Sequence, residues 1–311
     1  MNTGRLIHTA QALVDDVIDV PSLPRRGANT VATSRHRQAG GAVTVLLAAA
    51  RSGARCVHAG SVGRGPAGDL IRATLQNDKV TVSSPIVEEI DTGECVVFVE
   101  PSAQRTFVTV QGAERRITAT SLNTSAPQVG DYVAISGYTL QGPTATPLLD
   151  WLATLQPGVQ VVLDPGSAFA ELDDATRTAA LAHTTIWTSN AEEAQFMTGC
   201  ADMTAAAEAL LKHLPPGALA IVRDGPAGCA VSGWCKTTAV PGFPQTPYDT
   251  NGAGDTHTGV MLAGLLSGAD PATAARRANA AGALKVTRRG ADTIPTAADI
   301  DRFLAAQQLS K

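Results

Sequence analysis

The sequence predicts an α/β fold, with a mostly parallel sheet between two layers of helices, on three observations. Short apolar runs alternate with amphipathic stretches through the middle of the chain. Of the 311 residues, 44% are hydrophobic but only 4% aromatic, so Ala, Gly, Val and Leu must build the core, which suits close packing of helices on a sheet. A glycine-rich turn ending in an acid, residues 249–256, runs directly into a buried helical pattern.

Taken in order, residues 6–14 read as a first strand, and 42–52 as a helix after the Gly40-Gly41 turn. A strand at 55–59 and a helix at 68–76 follow. Residues 96–99 and 106–110 form a hairpin across a polar turn. Then come a buried strand at 132–136, a helix at 143–155 and a strand at 159–163 that ends at Asp164-Pro165-Gly166. Residues 185–188 read as strand, 191–198 and 203–213 as helices, 219–223 as strand, and 229–231 with 235–239 as a hairpin. The glycine-rich turn and the helix it opens follow, and helices around 271–286 and 297–307 close the chain. Alternation of this kind implies right-handed crossovers, with ligands bound beyond the carboxyl ends of the strands. One α/β domain over residues 1–311 is expected, with the β-rich segments 15–38 and 88–112 inserted as a small lid or, equally, an edge hairpin. The polar stretch 118–127 is the one linker candidate.

Composition excludes several classes. The formal charge is −4 and no dense Lys/Arg run occurs, which argues against nucleic acid or an anionic membrane as partner. No apolar run approaches the roughly 18–20 residues that span a bilayer. The N-terminus lacks the apolar core of a secretion signal. Five scattered cysteines without a C-x-x-C pair read as reduced thiols of a cytoplasmic protein, and the six histidines lack zinc-site spacing.

The run Asp249-Thr250-Asn251-Gly252-Ala253-Gly254-Asp255-Thr256 carries the most chemistry. Val260, Met261, Leu262, Leu265 and Leu266 give it a buried helix to open, so residues 252–255 sit at a helix N-terminus. There unpaired N–H groups and the helix dipole favour an anion, and small side chains let a phosphate approach. Asp255, held beside such a site, has the position of a general base for a hydroxyl about to be phosphorylated. A plain glycine turn with an Asp cap has the same bare composition. Gly63-Arg64-Gly65-Pro66-Ala67-Gly68 is a formal G-x-G-x-x-G that opens a helix, with Glu88, Glu89 and Asp91 some twenty residues on, and it offers a dinucleotide-binding alternative. No Gly-Lys-Ser/Thr run is present, so any ATP site is not a P-loop.

The 249–256 string resembles the C-terminal signature of the ribokinase-like carbohydrate kinases, the PfkB family, and the resemblance runs nearly end to end. It implies a ribokinase-like α/β/α sandwich and transfer of phosphate from ATP, with Mg²⁺, to a primary hydroxyl of a small sugar. Asp255 is then the base, and the amides of Gly252, Ala253 and Gly254 form the anion hole. Asp15 and the Gly40-Gly41 pair are similar to the family's sugar-binding residues, and Thr44 or Val45 stands where an Asn is usual. Arg105 falls in the lid strands, where it either meets substrate or is solvated. Asn190 and Glu193 resemble the family's N-x-x-E, which places Mg²⁺ through water; the same spacing makes a capping box. Arg223, Gly225 and Gly228 fall near the nucleotide phosphates, with Arg223 in place of a usual Thr. Asn251 belongs to the anion loop, and Asn279 with residues 240–246 to the adenine enclosure. Asp249 and residues 286–291 correspond to a K⁺ site found in some members. The resemblance further implies a homodimer. Within it, scarce aromatics near the substrate motifs favour a sugar over a nucleoside; a non-catalytic sugar- or nucleotide-binding descendant is the remaining alternative.

Overall fold

The computed structural model describes residues 4–102, 104–288 and 293–309. Its frame is a nine-stranded sheet. Seven strands form the parallel part: β1 (Arg5–His8), β4 (Arg55–His58), β6 (Thr81–Val82), β10 (Tyr132–Ser136), β11 (Gln160–Asp164), β12 (Ile186–Asn190) and β13 (Leu219–Arg223). Two antiparallel strands, β14 (Gly228–Ser232) and β15 (Thr238–Pro241), extend one edge. The order is β15-β14-β13-β12-β11-β10-β1-β4-β6.

Strand alternation sorts the core into two faces. Leu6, Cys56, Tyr132, Ile186 and Ile221 point to one layer, which holds α1 (Ala42–Arg51), α2 (Pro66–Asn77), α8 (Ala253–Leu266) and α9 (Pro271–Val286). Their sequence neighbours Ile7, Val57, Val133, Trp187 and Val222 point to the other, which packs Leu148, Trp151, Ala180, Ala194 and Leu210. Those last five come from α4 (Ala145–Leu152), α5 (Asp174–His183), α6 (Ala191–Thr198) and α7 (Met203–Leu210). The expected three-layer ribokinase-like sandwich is thus the observed architecture. α10 (Ala297–Leu309) packs through Ile300 onto the first layer. Among the described residues, no helix is long and apolar enough to cross a membrane.

A second sheet has the order β3-β2-β8-β9, from β2 (Ala12–Asp19), β3 (Ser34–Gly41), β8 (Glu94–Val99) and β9 (Arg105–Val110). Its interior is small, built on Val17, Cys95 and Val97. A two-stranded piece joins β5 (Val62–Gly63) to β7 (Ile86–Val87). The run read as one strand over 6–14 is therefore two, β1 in the main sheet and β2 in the second. The stretch 118–127 is not a linker. It contains α3 (Ala119–Asn123), whose Thr118 accepts from the Ser121 amide while Ser121 Oγ accepts from the Thr118 amide.

α8 is buried nearly all round, from Thr256 to Leu266, because neighbouring helices cover both of its long faces. It packs on α1 so closely that a Cβ on Gly259 would lie 2.3 Å from the Val45 carbonyl oxygen. Gly259→Ala should therefore push α8 off α1 and cost about 1–3 kcal/mol of stability. Urea unfolding measures this, and an unchanged midpoint would show that the contact is not tight.

Candidate active site

One cavity of about 540 Å³ runs across the carboxyl ends of the central strands, where open α/β sheets bind ligands. It brings together Asp15, Gly41, Thr44, Asn251, Gly252 and Asp255 from well-separated stretches of sequence.

Asp255 lies in the first turn of α8. Gly252 caps that helix in the left-handed region (φ 71°), and no side chain caps it. Thr44 and Lys285 flank this turn: a Cβ on Gly252 would come within 3.2 Å of Thr44 Cγ2 and 3.7 Å of Lys285 Cε. The loop is fixed from below, because the Asn251 amide donates to Asp249 Oδ1 at 2.9 Å. The amides of Tyr248 and Asp249 both reach the Val286 carbonyl at the end of α9. Burial and the nearby Asp164 charge push the Asp255 carboxyl up to about 7, against the pull of Arg223 and Lys285.

Arg223, at the end of β13, points inward. It lies under the anion loop with 13% of its side chain exposed, donating to Thr188 Oγ1 at 3.1 Å and to the Gly254 carbonyl at 3.4 Å. It also bonds Thr258 Oγ1 and pairs with Asp164 at 3.4 Å. Asp164, at the end of β11, has no assigned role in the sequence; its position at a strand end before Pro-Gly is the available signal. Lys285 escapes the sequence reading as well. Spacing from Ala278 and Ala281 puts it on the buried face of α9, where it is 3% exposed. Burial lowers its pKa, and Asp249 and Asp255 oppose that shift.

Asp15 sits within β2 rather than after a strand. Gly40 stands beside it, and a Cβ there would fall 2.4 Å from Asp15 Oδ2, so this glycine leaves room for the carboxylate. Gly41, at φ 60°, turns the chain from the second sheet into α1, whose first amide donates to the Gln11 carbonyl. Burial raises the Asp15 carboxyl to about 6, against hydrogen bonds from Gln38 and Asn251 and the Arg105 charge. Arg105 bridges the second sheet to the anion loop by donating to Thr250 Oγ1 at 3.1 Å.

Asn190 and Glu193 form the capping box of α6. Asn190 Oδ1 accepts the Glu193 amide at 2.8 Å, and Glu193 Oε2 accepts the Asn190 amide at 2.9 Å. Burial, then the Asp164 charge, raises the Glu193 carboxyl. Gly225 and Gly228 shape the turn between β13 and β14. Asn279 does not present its amide to a ligand. Its Nδ2 donates to the carbonyls of Val240 and Pro241, its Oδ1 meets His257 Nε2 at 3.1 Å, and it is 6% exposed. It braces the 240–241 wall from behind. Of the residues 286–291, only 286–288 lie among the described residues.

The dinucleotide alternative fails on geometry. Asp91 accepts from the Ala67 amide at 3.0 Å and the Gly68 amide at 2.8 Å, so its carboxylate occupies the α2 N-terminus that a pyrophosphate would need.

A glycine anion loop on a helix N-terminus, with an acid inside it and a second acid across the cavity, defines a phosphotransferase of the ribokinase-like class. Residues 9–297 match the model of the pfkB family carbohydrate kinases, and the chain belongs to that family. It is 30% identical over 288 residues to the uncharacterized sugar kinase YegV of Escherichia coli K12, covering 92% of this chain and 89% of that one. The ribokinase of Arabidopsis thaliana complexed with ribose and ATP shares the fold, with a TM-score of 0.76, 21% identity and 97% and 99% of the two chains covered. A nucleoside kinase of Burkholderia thailandensis in complex with inosine does so too, at TM-score 0.76 and 20% identity over 97% and 96%.

A carboxyl whose folded pKa lies near 7 opposes folding once it ionises. The penalty is absent below about pH 4, grows as pH rises, and is complete above 7. Asp255→Asn should therefore raise Tm at pH 8 by a few degrees and leave it unchanged near pH 4. A variant less stable than wild type at pH 8 would show that Asp255 is held by favourable contacts instead.

Proposed function

We propose that this chain transfers the γ-phosphoryl group of ATP to a primary hydroxymethyl group of a small sugar. The observation that carries this reading is Asp255, recessed in the first turn of α8 at the floor of the cavity, with a carboxyl poised near neutrality. In its ionised form it accepts the proton of the attacking hydroxyl. The N–H groups of residues 252–255 receive the phosphoryl oxygens, and Arg223 and Lys285 place positive charge beneath them. Asp15, with Gln38 behind it, orients the sugar hydroxyls, and Thr44 lines the same wall. Positioning and electrostatics supply most of the rate in such a transfer.

Magnesium fits here as a partner of the nucleotide. The Asp164 charge raises the cost of ionising Glu193, and a divalent ion relieves that repulsion. Among the described residues no cluster of three metal-binding side chains exists, which agrees with a hydrated ion carried in on the triphosphate. Bound there, the ion neutralises phosphate charge. Potassium has less place. The Lys285 ammonium already sets a fixed monovalent charge beside Asp249, so no step is assigned to that ion.

The chain is read as one kinase unit, with the β2-β3-β8-β9 sheet as a lid over the cavity and a cytoplasmic location. β9 is one edge strand of that sheet. Its Phe107, Val108 and Val110 are exposed, a surface suited to edge pairing in a homodimer. A nucleoside is the second reading, favoured by the inosine-bound neighbour. Against it, the aromatic residues at the cavity are Phe107 and Tyr138 alone among the described residues, a thin slot for a base.

ADP release with MgATP across pentoses, hexoses and nucleosides tests the reading. Turnover should appear with a sugar and vanish on chelation of magnesium. For that sugar, kcat/KM should rise about tenfold per pH unit to near pH 7 and then level, because Asp255 must be ionised to act. Turnover with nucleosides only, or a rate flat from pH 5 to 8, contradicts it.

A further inference from the structure

The sugar end of the cavity holds a cation that the phosphotransfer chemistry leaves unused. Arg115 lines the cavity on the side of β1 and β10, away from Arg223 and the β12–β14 end. Its Nη1 donates to the Tyr138 carbonyl at 3.0 Å and its Nη2 to the Gln141 carbonyl, which tie it to the turn after β10. Gln11 Nε2 donates to the same Tyr138 carbonyl at 3.2 Å. Nε of Arg115 is buried with no hydrogen-bond partner.

Among the described residues, no carboxylate forms an ion pair with this guanidinium. The neighbouring acid, Glu114, is spent on backbone, accepting from the Gly93 amide at 2.7 Å and the Gly112 amide at 2.8 Å. The acids that do line the cavity, Asp15, Asp164 and Asp255, belong to the sugar contact and the transfer centre. Burial lowers the Arg115 pKa, against the pull of the Glu114 charge, which only partly offsets it.

Two carbonyls need only neutral donors. A half-buried guanidinium without an ion-pair partner is a costly way to cap them. The side chains that accompany it, Gln11 and Gln111, offer further N–H groups rather than negative charge. A neutral sugar would leave this guanidinium without an ion-pair partner, whereas a carboxylate or phosphate would pair with it, and a guanidinium suits either group.

We propose that the acceptor is an anionic sugar, and that Arg115, helped by Gln11 and Gln111, receives its carboxylate or phosphate at the end remote from the transferred hydroxyl. This rests on the kinase reading of the same cavity and narrows its substrate.

The test compares wild type, Arg115→Gln and Arg115→Lys, each checked for folding by its Tm. MgATP-dependent ADP release is followed with neutral hexoses and pentoses, with hexonates and 2-ketohexonates, and with hexose and pentose monophosphates. Wild type should favour one of the two anionic sets over the neutral set by on the order of 100-fold in kcat/KM, and the favoured set distinguishes carboxylate from phosphate. Arg115→Gln should raise KM for that set and erase most of the preference, and Arg115→Lys should restore part of it. A wild-type preference for neutral sugars, or a preference for anionic ones that survives in Arg115→Gln, overturns the assignment. Absence of turnover in all three sets counts instead against the kinase reading, and the inference falls with it.

Discussion

Everything at this site depends on holding the Asp255 carboxylate, unprotonated when needed, against the open end of α8. Left in apolar surroundings and facing Asp164, the group keeps its proton to about pH 7. Two cations, Lys285 buried and Arg223 partly so, oppose that trend. Arg223 lies under the loop, and Lys285 beside it. The result is a carboxyl whose pKa lies near neutrality, which suits the proposed base, since the balance between being ionised and accepting a proton is best there. The same arrangement leaves positive charge beneath the N–H groups that would meet a phosphoryl group. Since Arg223 also bonds Asp164, Thr188 and the Gly254 carbonyl, one side chain links β11, β12 and β13 to the glycine loop at the start of α8.

The rest of the fold serves that geometry. α8 stays in register because α1 and α9 cover its sides, and α1 approaches closely only because Gly259 has no side chain. Across the cavity, Asp15 comes from the second sheet rather than the first. Its place depends on Gly40, which leaves space for the carboxylate, and on Gln38 and Asn251, which hydrogen-bond it. Asp255 on α8 and Asp15 on the second sheet are thus carried by different parts of the fold, joined at the Arg105–Thr250 bond. Movement of the second sheet would change their separation without disturbing the main core.

The strand and helix pattern was legible because parallel strands are short apolar runs and each is followed by an amphipathic helix. It failed where the pattern carries no break. Ala10, Ala12 and Val14 are all buried, so the passage from β1 to β2 reads as one strand although the chain changes sheets. Around 118–127 the composition is polar, yet a Thr-Ser capping box closes a short helix there. The anion loop and Asp255 stood out because glycines and an acid at a helix start are locally visible. Asp164, Lys285 and Arg115 did not, since their meaning lies in which strand ends and helix faces the topology brings together. Asn279 shows the converse. Its type and place matched a ligand contact, but the three-dimensional structure gives both ends of its amide to the protein.

The most direct test of the central claim separates chemistry from binding in Asp255→Asn. Turnover with MgATP and the active sugar is measured beside the sugar's Kd from calorimetry. With Asp255 as the base, kcat falls by at least about 1,000-fold while Kd stays within a few-fold, because the loss is felt only as the proton leaves. An Asn variant that turns over within tenfold of wild type, or one that loses binding in step with rate, would contradict the assignment of Asp255 as the base.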